Sequence, residues 1–234
     1  ETDTPMASKA VGTLYVVATP IGNLEDITLR ALRVLKEVAL IAAEDTRHTR
    51  KLLERYGIDT PLTSFHQHTG EGKRRALIER LLQGDSIALV TDAGTPGISD
   101  PGGVLVAEAH EAGVPVVPVP GPSALTALLS VSGLPAHRFR FEGFIPRKEG
   151  ARRQFFESLR DADMTVVFYE SPHRLLKTLQ TAYEVLGDRT VVVGRELTKQ
   201  YEEIFRGTLS EALAHWQHKP PKGEFVIAIG AAER

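Results

Sequence analysis

Thirteen consecutive residues, Thr91-Asp92-Ala93-Gly94-Thr95-Pro96-Gly97-Ile98-Ser99-Asp100-Pro101-Gly102-Gly103, hold four glycines, two prolines and two aspartates. Glycine is entropically costly inside regular elements and proline lacks a backbone donor, so neither a strand nor a helix runs through such a stretch. An apolar run, Ile87 to Val90, precedes it, and a helix-like run, Val104 to Ala109, follows. A plain crossover takes roughly two to six residues, so this loop is longer than turning requires. It stands at the carboxyl end of a strand, where open α/β sheets hold their ligands. Its glycines would let a ligand approach the backbone, and its carboxylates can accept hydrogen bonds from hydroxyls or amines.

The rest of the first half repeats the same alternation. Strand-like runs at Thr13 to Ala18, Ala39 to Ala43, Pro61 to Phe65 and Val114 to Val119 are separated by helical patterns carrying Leu29, Leu32 and Leu35, then Leu52, Leu53 and Tyr56, then Lys73 to Leu82. That order predicts a mostly parallel sheet with helices on both faces. Asp26 reads as the cap of the first helix. The prolines of Pro118-Val119-Pro120-Gly121-Pro122 interrupt the pattern, which predicts a first domain over 11–120 and a second over 121–234. The second half brings β segments closer together, at 138–144, 165–169, 190–193, 203–206 and 225–229, with helices over 124–131, 152–159, 172–186 and 209–216. The expected fold is therefore α/β throughout, with a mostly parallel first sheet and a mixed second one.

Several chemistries are excluded or disfavoured by what is missing. No cysteine occurs, so disulfides, thiol nucleophiles and cysteine-based zinc sites are ruled out. The chain has neither a G-x-x-x-x-G-K-[ST] phosphate loop, nor G-x-G-x-x-G after its first strand, nor a G-x-S-x-G elbow. His66 and His68 lack the further ligands a metal would need, and no metal is expected. No apolar run approaches the roughly 20 residues that span a bilayer, and residues 1–10 read as a polar tail without a signal core. A reducing, cytoplasmic setting is expected. The net charge of −2 means that any polyanion must be met by local positive charge.

Ligand-type residues recur at strand ends: Pro20, Gly22 and Asn23; Glu44, Asp45 and Arg47; His66 and His68; Asp92 to Gly103; and Pro120, Gly121 and Ser123. Parallel strands share one carboxyl edge, so these segments are expected to converge on a cleft that a second domain would close. Six segments then carry a resemblance: Thr19 to Ala31, Ala43 to Arg47, Thr91 to Gly102, Tyr169-Glu170-Ser171-Pro172-His173-Arg174, Arg195 to Lys199, and Lys222-Gly223-Glu224. Together, and in this order, they resemble the ribosomal RNA small subunit methyltransferase I group of tetrapyrrole-methylase-type enzymes, from about Gly12 to Ile229.

The resemblance implies S-adenosylmethionine-dependent 2′-O-methylation of a cytidine ribose in the decoding region of 16S ribosomal RNA, with that RNA met within the small ribosomal subunit. It further implies a homodimer with the cofactor in the cleft between two α/β domains. On this basis the cofactor is expected at Pro20, Gly22, Gly94, Asp100, Pro101, Gly102 and Ser123, joined by Tyr169 and Gly223. Asp45, Arg47, Glu196 and Lys199 are the candidates for catalysis, with Glu44 and His66 as further possible bases. Arg50, Arg147, Lys148, Arg152 and Arg153 are expected to face RNA, within a cluster that includes Arg138 and Arg140 and is interleaved with phenylalanines expected to be mostly core. Bland roles compete: Asp45 as a helix cap, Glu196 and Lys199 as a helical surface ion pair, His66 as a partly buried polar residue. The alternatives are a methyltransferase on the same scaffold acting on a tetrapyrrole or other small acceptor, and a cofactor-binding regulator without turnover.

Overall fold

The computed structural model describes residues 10–92, 94–100, 102–218 and 220–233; the expected polar tail lies almost wholly outside them. The chain divides into two units, ending and beginning at Ser123 and Ala124.

The first unit contains β1 (Leu14–Val17), α1 (Leu29–Glu37), β2 (Leu40–Ala43), α2 (Thr46–Arg55), β3 (Leu62–Ser64), α3 (Glu71–Leu82), β4 (Ile87–Val90), α4 (Gly102–Glu111) and β5 (Val116–Val119). Its strands form one all-parallel sheet in the order β3-β2-β4-β1-β5. Alternation within the strands sorts the core into two layers. Ile41, Ala43, Ala88 and Val90 meet Val34 and Leu35 of α1 and Leu52 and Leu53 of α2. Leu40, Ala42, Ile87 and Leu89 meet Leu77, Ile78 and Leu81 of α3 and Leu105 of α4. The short apolar strands are thus covered on both faces, as a parallel sheet requires.

One cap differs from expectation. Asp26 ends a single 3-10 turn over Leu24–Asp26, and Thr28 caps α1 by accepting a hydrogen bond from the Ala31 amide at 3.0 Å. Asn23 caps the preceding turn through the Glu25 amide. That turn consumes Asp26 and passes the capping position to the next short polar residue.

The second unit contains α5 (Ala124–Ser132), β6 (Phe139–Phe144), α6 (Glu149–Glu157), β7 (Thr165–Glu170), α7 (Leu175–Leu186), β8 (Thr190–Arg195), β9 (Glu203–Thr208), α8 (Leu209–His218) and β10 (Phe225–Ile229). Its sheet runs β6-β7-β10-β8-β9, parallel only between β6 and β7. Phe168, Val193 and Ile227 face α6, α7 and α8 in one core, where Phe156 and Trp216 are fully buried. Trp216 packs edge-on to Phe225, with ring centres 5.1 Å apart. On the other face, Leu128 of α5 lies so near β8 that a Cβ on Gly194 would come within 2.9 Å of it. Among the described residues, no helix is long and apolar enough to cross a membrane.

Candidate active site

In the first sheet β1 and β4 are neighbours, yet their chains leave towards opposite edges: β1 leads to β2, and β4 leads to β5. Such a reversal opens a crevice at the carboxyl ends of the two strands. The loops after them are stitched together. The Thr19 amide donates to the Gly94 carbonyl at 2.9 Å, and Thr19 Oγ1 donates to the Thr91 carbonyl at 3.1 Å. The loop after β5 joins them through Thr95 Oγ1, which donates to the Pro122 carbonyl at 3.1 Å. At the end of β2, Glu44 Oε2 accepts from Thr91 Oγ1 at 2.7 Å.

The glycines of this rim have reasons that lie in the chain itself. Gly94 has φ +93°, and a Cβ there would stand 2.7 Å from both Ile21 Cγ2 and the Pro122 oxygen. A Cβ on Gly121 would approach Ala18 Cβ at 3.0 Å. Gly102 opens α4 against Asp100, whose Oδ1 would lie 2.9 Å from an added Cβ.

Asp100 organises the long loop. Its Oδ1 accepts from the amides of Gly97 at 2.8 Å and Gly102 at 2.7 Å. Its Oδ2 is shielded from solvent and has no hydrogen-bond partner among the described residues. A shielded carboxylate oxygen in that state is an acceptor waiting for a donor. Pro20 is buried beside this rim, Gly22 is exposed and Ser123 is half-buried; Pro101 lies outside the described residues.

Asp45 caps α2, its Oδ1 accepting from the Arg47 amide at 2.9 Å. That backbone hydrogen bond, only partly opposed by desolvation, holds its carboxyl below the ordinary range. Asp45 is therefore suited to a standing negative charge more than to carrying a proton at neutral pH. The Arg47 side chain is 88% exposed, with Nε 3.6 Å from Asp45. Arg50 is exposed on the same helix, and His66 is exposed rather than partly buried.

In the second unit, Glu196 and Lys199 occupy a turn between β8 and β9, not a helix. Glu196 has φ 49° and Thr198 has φ 73°, a left-handed backbone that non-glycine residues adopt at a cost. Lys199 Nζ lies 2.7 Å from Glu196 Oε2 and 3.5 Å from Glu224 Oε2. Partial burial lowers the proton affinity of Lys199, but the two glutamates outweigh it, and the net shift is upward. Lys199 is accordingly an ammonium, not a base, at neutral pH. Gly223, at φ +92°, leaves room for Glu196, whose Oε1 would be 2.2 Å from an added Cβ. The half-buried Tyr169 packs edge-on to Phe141 and Phe144, and burial raises its phenol pKa despite a hydrogen bond from the Leu125 backbone.

The expected RNA-facing cluster is divided by the structure. Arg138 and Arg140 are paired with Asp163 and Glu142, and Arg153 is bonded to Glu184. Arg147 and Lys148 are exposed. Arg152 departs from expectation: it is only 6% exposed, because its position on α6 turns the guanidinium inward to Thr181 on α7. Of the interleaved phenylalanines Phe156 alone is fully buried, Phe141 and Phe155 are half-buried, and Phe139 and Phe144 are 38% and 60% exposed, so they are less a part of the core than expected. Sequence reading also passed over the role of Glu170 in Tyr169-Glu170-Ser171. This buried carboxylate accepts from the Ser171 amide at 2.8 Å, Arg174 Nε at 3.1 Å and Thr178 Oγ1 at 2.6 Å.

A parallel sheet with a stitched crevice at its strand reversal, followed by a mixed-sheet unit, defines a tetrapyrrole-methylase type of protein. Residues 13–213 match the family described as Tetrapyrrole (Corrin/Porphyrin) Methylases, and the chain belongs to it. Within that family its place is the ribosomal RNA small subunit methyltransferase I group. A relative of that name from Synechocystis is 52% identical over 95% of this chain and 80% of its own length. Another, from Thermotoga maritima, is 48% identical over 95% of this chain and 100% of its own. Among solved structures, a diphthine synthase superposes with a TM-score of 0.73 at 17% identity, covering 94% of this chain and 90% of that one. A cobalt precorrin-4 methyltransferase gives 0.68 at 18% identity, covering 92% and 94%. These distant structures share the fold. S-adenosylmethionine is the cofactor of the family's methyltransferases.

Proposed function

We propose that the protein methylates small-subunit ribosomal RNA, placing the methyl group of S-adenosylmethionine on the 2′-hydroxyl of a cytidine in the decoding region of 16S RNA. The observation that carries this reading is the near-50% identity, across almost the whole chain, to proteins named ribosomal RNA small subunit methyltransferase I. The crevice at the strand reversal supports it, since the Asp100 Oδ2 acceptor fits a ligand bearing hydroxyls and an ammonium group.

When bound, the cofactor would supply a sulfonium methyl already activated for in-line displacement: the ribose oxygen gains the methyl, S-adenosylhomocysteine departs, and the hydroxyl proton passes to water. The chain's task is then alignment and handling of charge, and alignment alone can contribute on the order of 7 kcal/mol or more. In this reading the rim formed by Pro20, Gly22, Gly94, Asp100, Gly102 and Ser123 holds the cofactor through backbone groups and the Asp100 carboxylate. Arg47, free to reach outward, meets a phosphate of the target strand. Lys199 supplies a fixed positive charge, held by Glu196. The protein acts as a cytoplasmic homodimer on the small ribosomal subunit.

The test is transfer of labelled methyl groups from S-adenosylmethionine to small-subunit particles lacking the modification, with the product located by nuclease digestion and mass spectrometry. A label on a single cytidine ribose is expected. A label on a base, or none despite measured cofactor binding, sinks the assignment. A small tetrapyrrole offered as sole acceptor tests the alternative chemistry of the scaffold.

A further inference from the structure

A cavity of about 580 Å³ lies along α6 and α7 in the second unit, and Arg152 stands in its wall. This guanidinium is 6% exposed, and its hydrogen bonds go to neutral oxygens: Nε to Thr181 Oγ1 at 3.2 Å and an Nη to the Arg147 carbonyl at 3.1 Å. No carboxylate pairs with it among the described residues. Burying a cation without a counterion is costly, and proteins ordinarily avoid it by pairing.

The surroundings add to the imbalance. The lining holds Arg147, Arg152, Arg174 and Lys177 against only two carboxylates, Glu149 and Glu184. Glu184 is already engaged by Arg153 and Gln180. Arg174 spends its Nε on Glu170, which leaves its two Nη groups unengaged among the described residues. Arg147 and Lys177 are exposed and enter no ion pair among the described residues.

We propose that this groove is a phosphodiester subsite, in which Arg152 forms a fixed floor charge and Arg147, Arg174 and Lys177 grip the backbone of the RNA substrate. Planar guanidinium groups match phosphate oxygens in pairs, and a buried one is pre-oriented for that contact. The subsite rests on the reading of RNA as substrate and adds to it a contact surface remote in sequence from the strand-end rim. It contributes affinity and register and carries no base information.

The test compares the wild-type protein with the double variant Arg147→Glu/Lys177→Glu. Both positions are exposed, and thermal unfolding checks that the variant is folded. Methyl transfer to unmodified small-subunit particles is measured against particle concentration at several salt concentrations. The expected result is a KM raised by roughly 10-fold or more, an unchanged kcat at saturation, and a log–log salt slope shallower by about two. Arg152→Gln, which keeps neutral hydrogen bonding, should raise KM in the same direction. Unchanged KM and salt slope in the double variant, with the wild type active, overturn the subsite and leave the RNA reading standing. A fall in kcat alone also overturns it. A wild type that transfers nothing to the particles overturns the RNA reading, and the subsite with it.

Discussion

Asp100 shows how one side chain can both build a loop and leave something for a ligand. Its Oδ1 holds two amides, and its Oδ2 holds none of the described donors. Asp100→Ala should cost about 1–2 kcal/mol in urea unfolding, since two amides lose their acceptor. Asp100→Asn should retain most of that stability. Both should weaken S-adenosylmethionine binding in calorimetric titration, and unchanged affinity in both would remove this carboxylate from the cofactor site. Gly223→Ala pits a methyl group against Glu196 at a positive φ, and should destabilise the protein by roughly 1–2 kcal/mol. Asp45 makes a prediction about pH. Its folded pKa is lowered, so its contribution to stability is present above the ordinary value of 3.8 and disappears as pH falls through the lowered one. Across neutral pH the rate profiles of wild type and Asp45→Asn should have the same shape. A limb that vanishes in the variant would assign the proton to Asp45. At this scale the sequence was only partly legible. The glycine-rich loop was visible, but the reason for Gly94 lies at Ile21 and Pro122, far away in the chain. Arg152 looked like any surface arginine because nothing local records which face of α6 meets α7.

Elements were easier to read, because periodicity is local while burial is not. The strand and helix positions of the first unit follow from short apolar runs separated by glycine, proline and capping residues, and the structure places an element at each. Two local readings failed for the same reason, a turn that the pattern does not show. Asp26 lost its capping role to Thr28 when a 3-10 turn intervened. Glu196 and Lys199, spaced as on a helix, lie instead in the turn between β8 and β9, where Glu196 and Thr198 take positive φ and Gly223 leaves room for the Glu196 side chain. Between β7 and α7 the junction is set by Glu170, buried with three donors around it. Glu170→Ala should therefore lower stability by about 3 kcal/mol, because Arg174 and Thr178 lose their shared acceptor. A shift in thermal midpoint of less than one degree would show that the junction is held by apolar packing alone.

At the scale of the whole molecule, charge and architecture separate cleanly. A net charge of −2 over 234 residues offers an RNA no general attraction. Binding to small-subunit particles should nevertheless weaken steeply with salt, with a log–log slope that counts local phosphate contacts rather than total charge. A flat salt dependence would contradict recognition through the exposed cations of either unit. The parallel and mixed sheets each carry their own core, and the single tryptophan belongs to only one of them. Trp216, with no exposed surface, gives the second unit a private optical signal. Its emission should shift to the red only when that core opens to water, while circular dichroism follows helices in both halves. Denaturation watched at the two wavelengths would then time the melting of one half against the whole, without a label or an added chromophore.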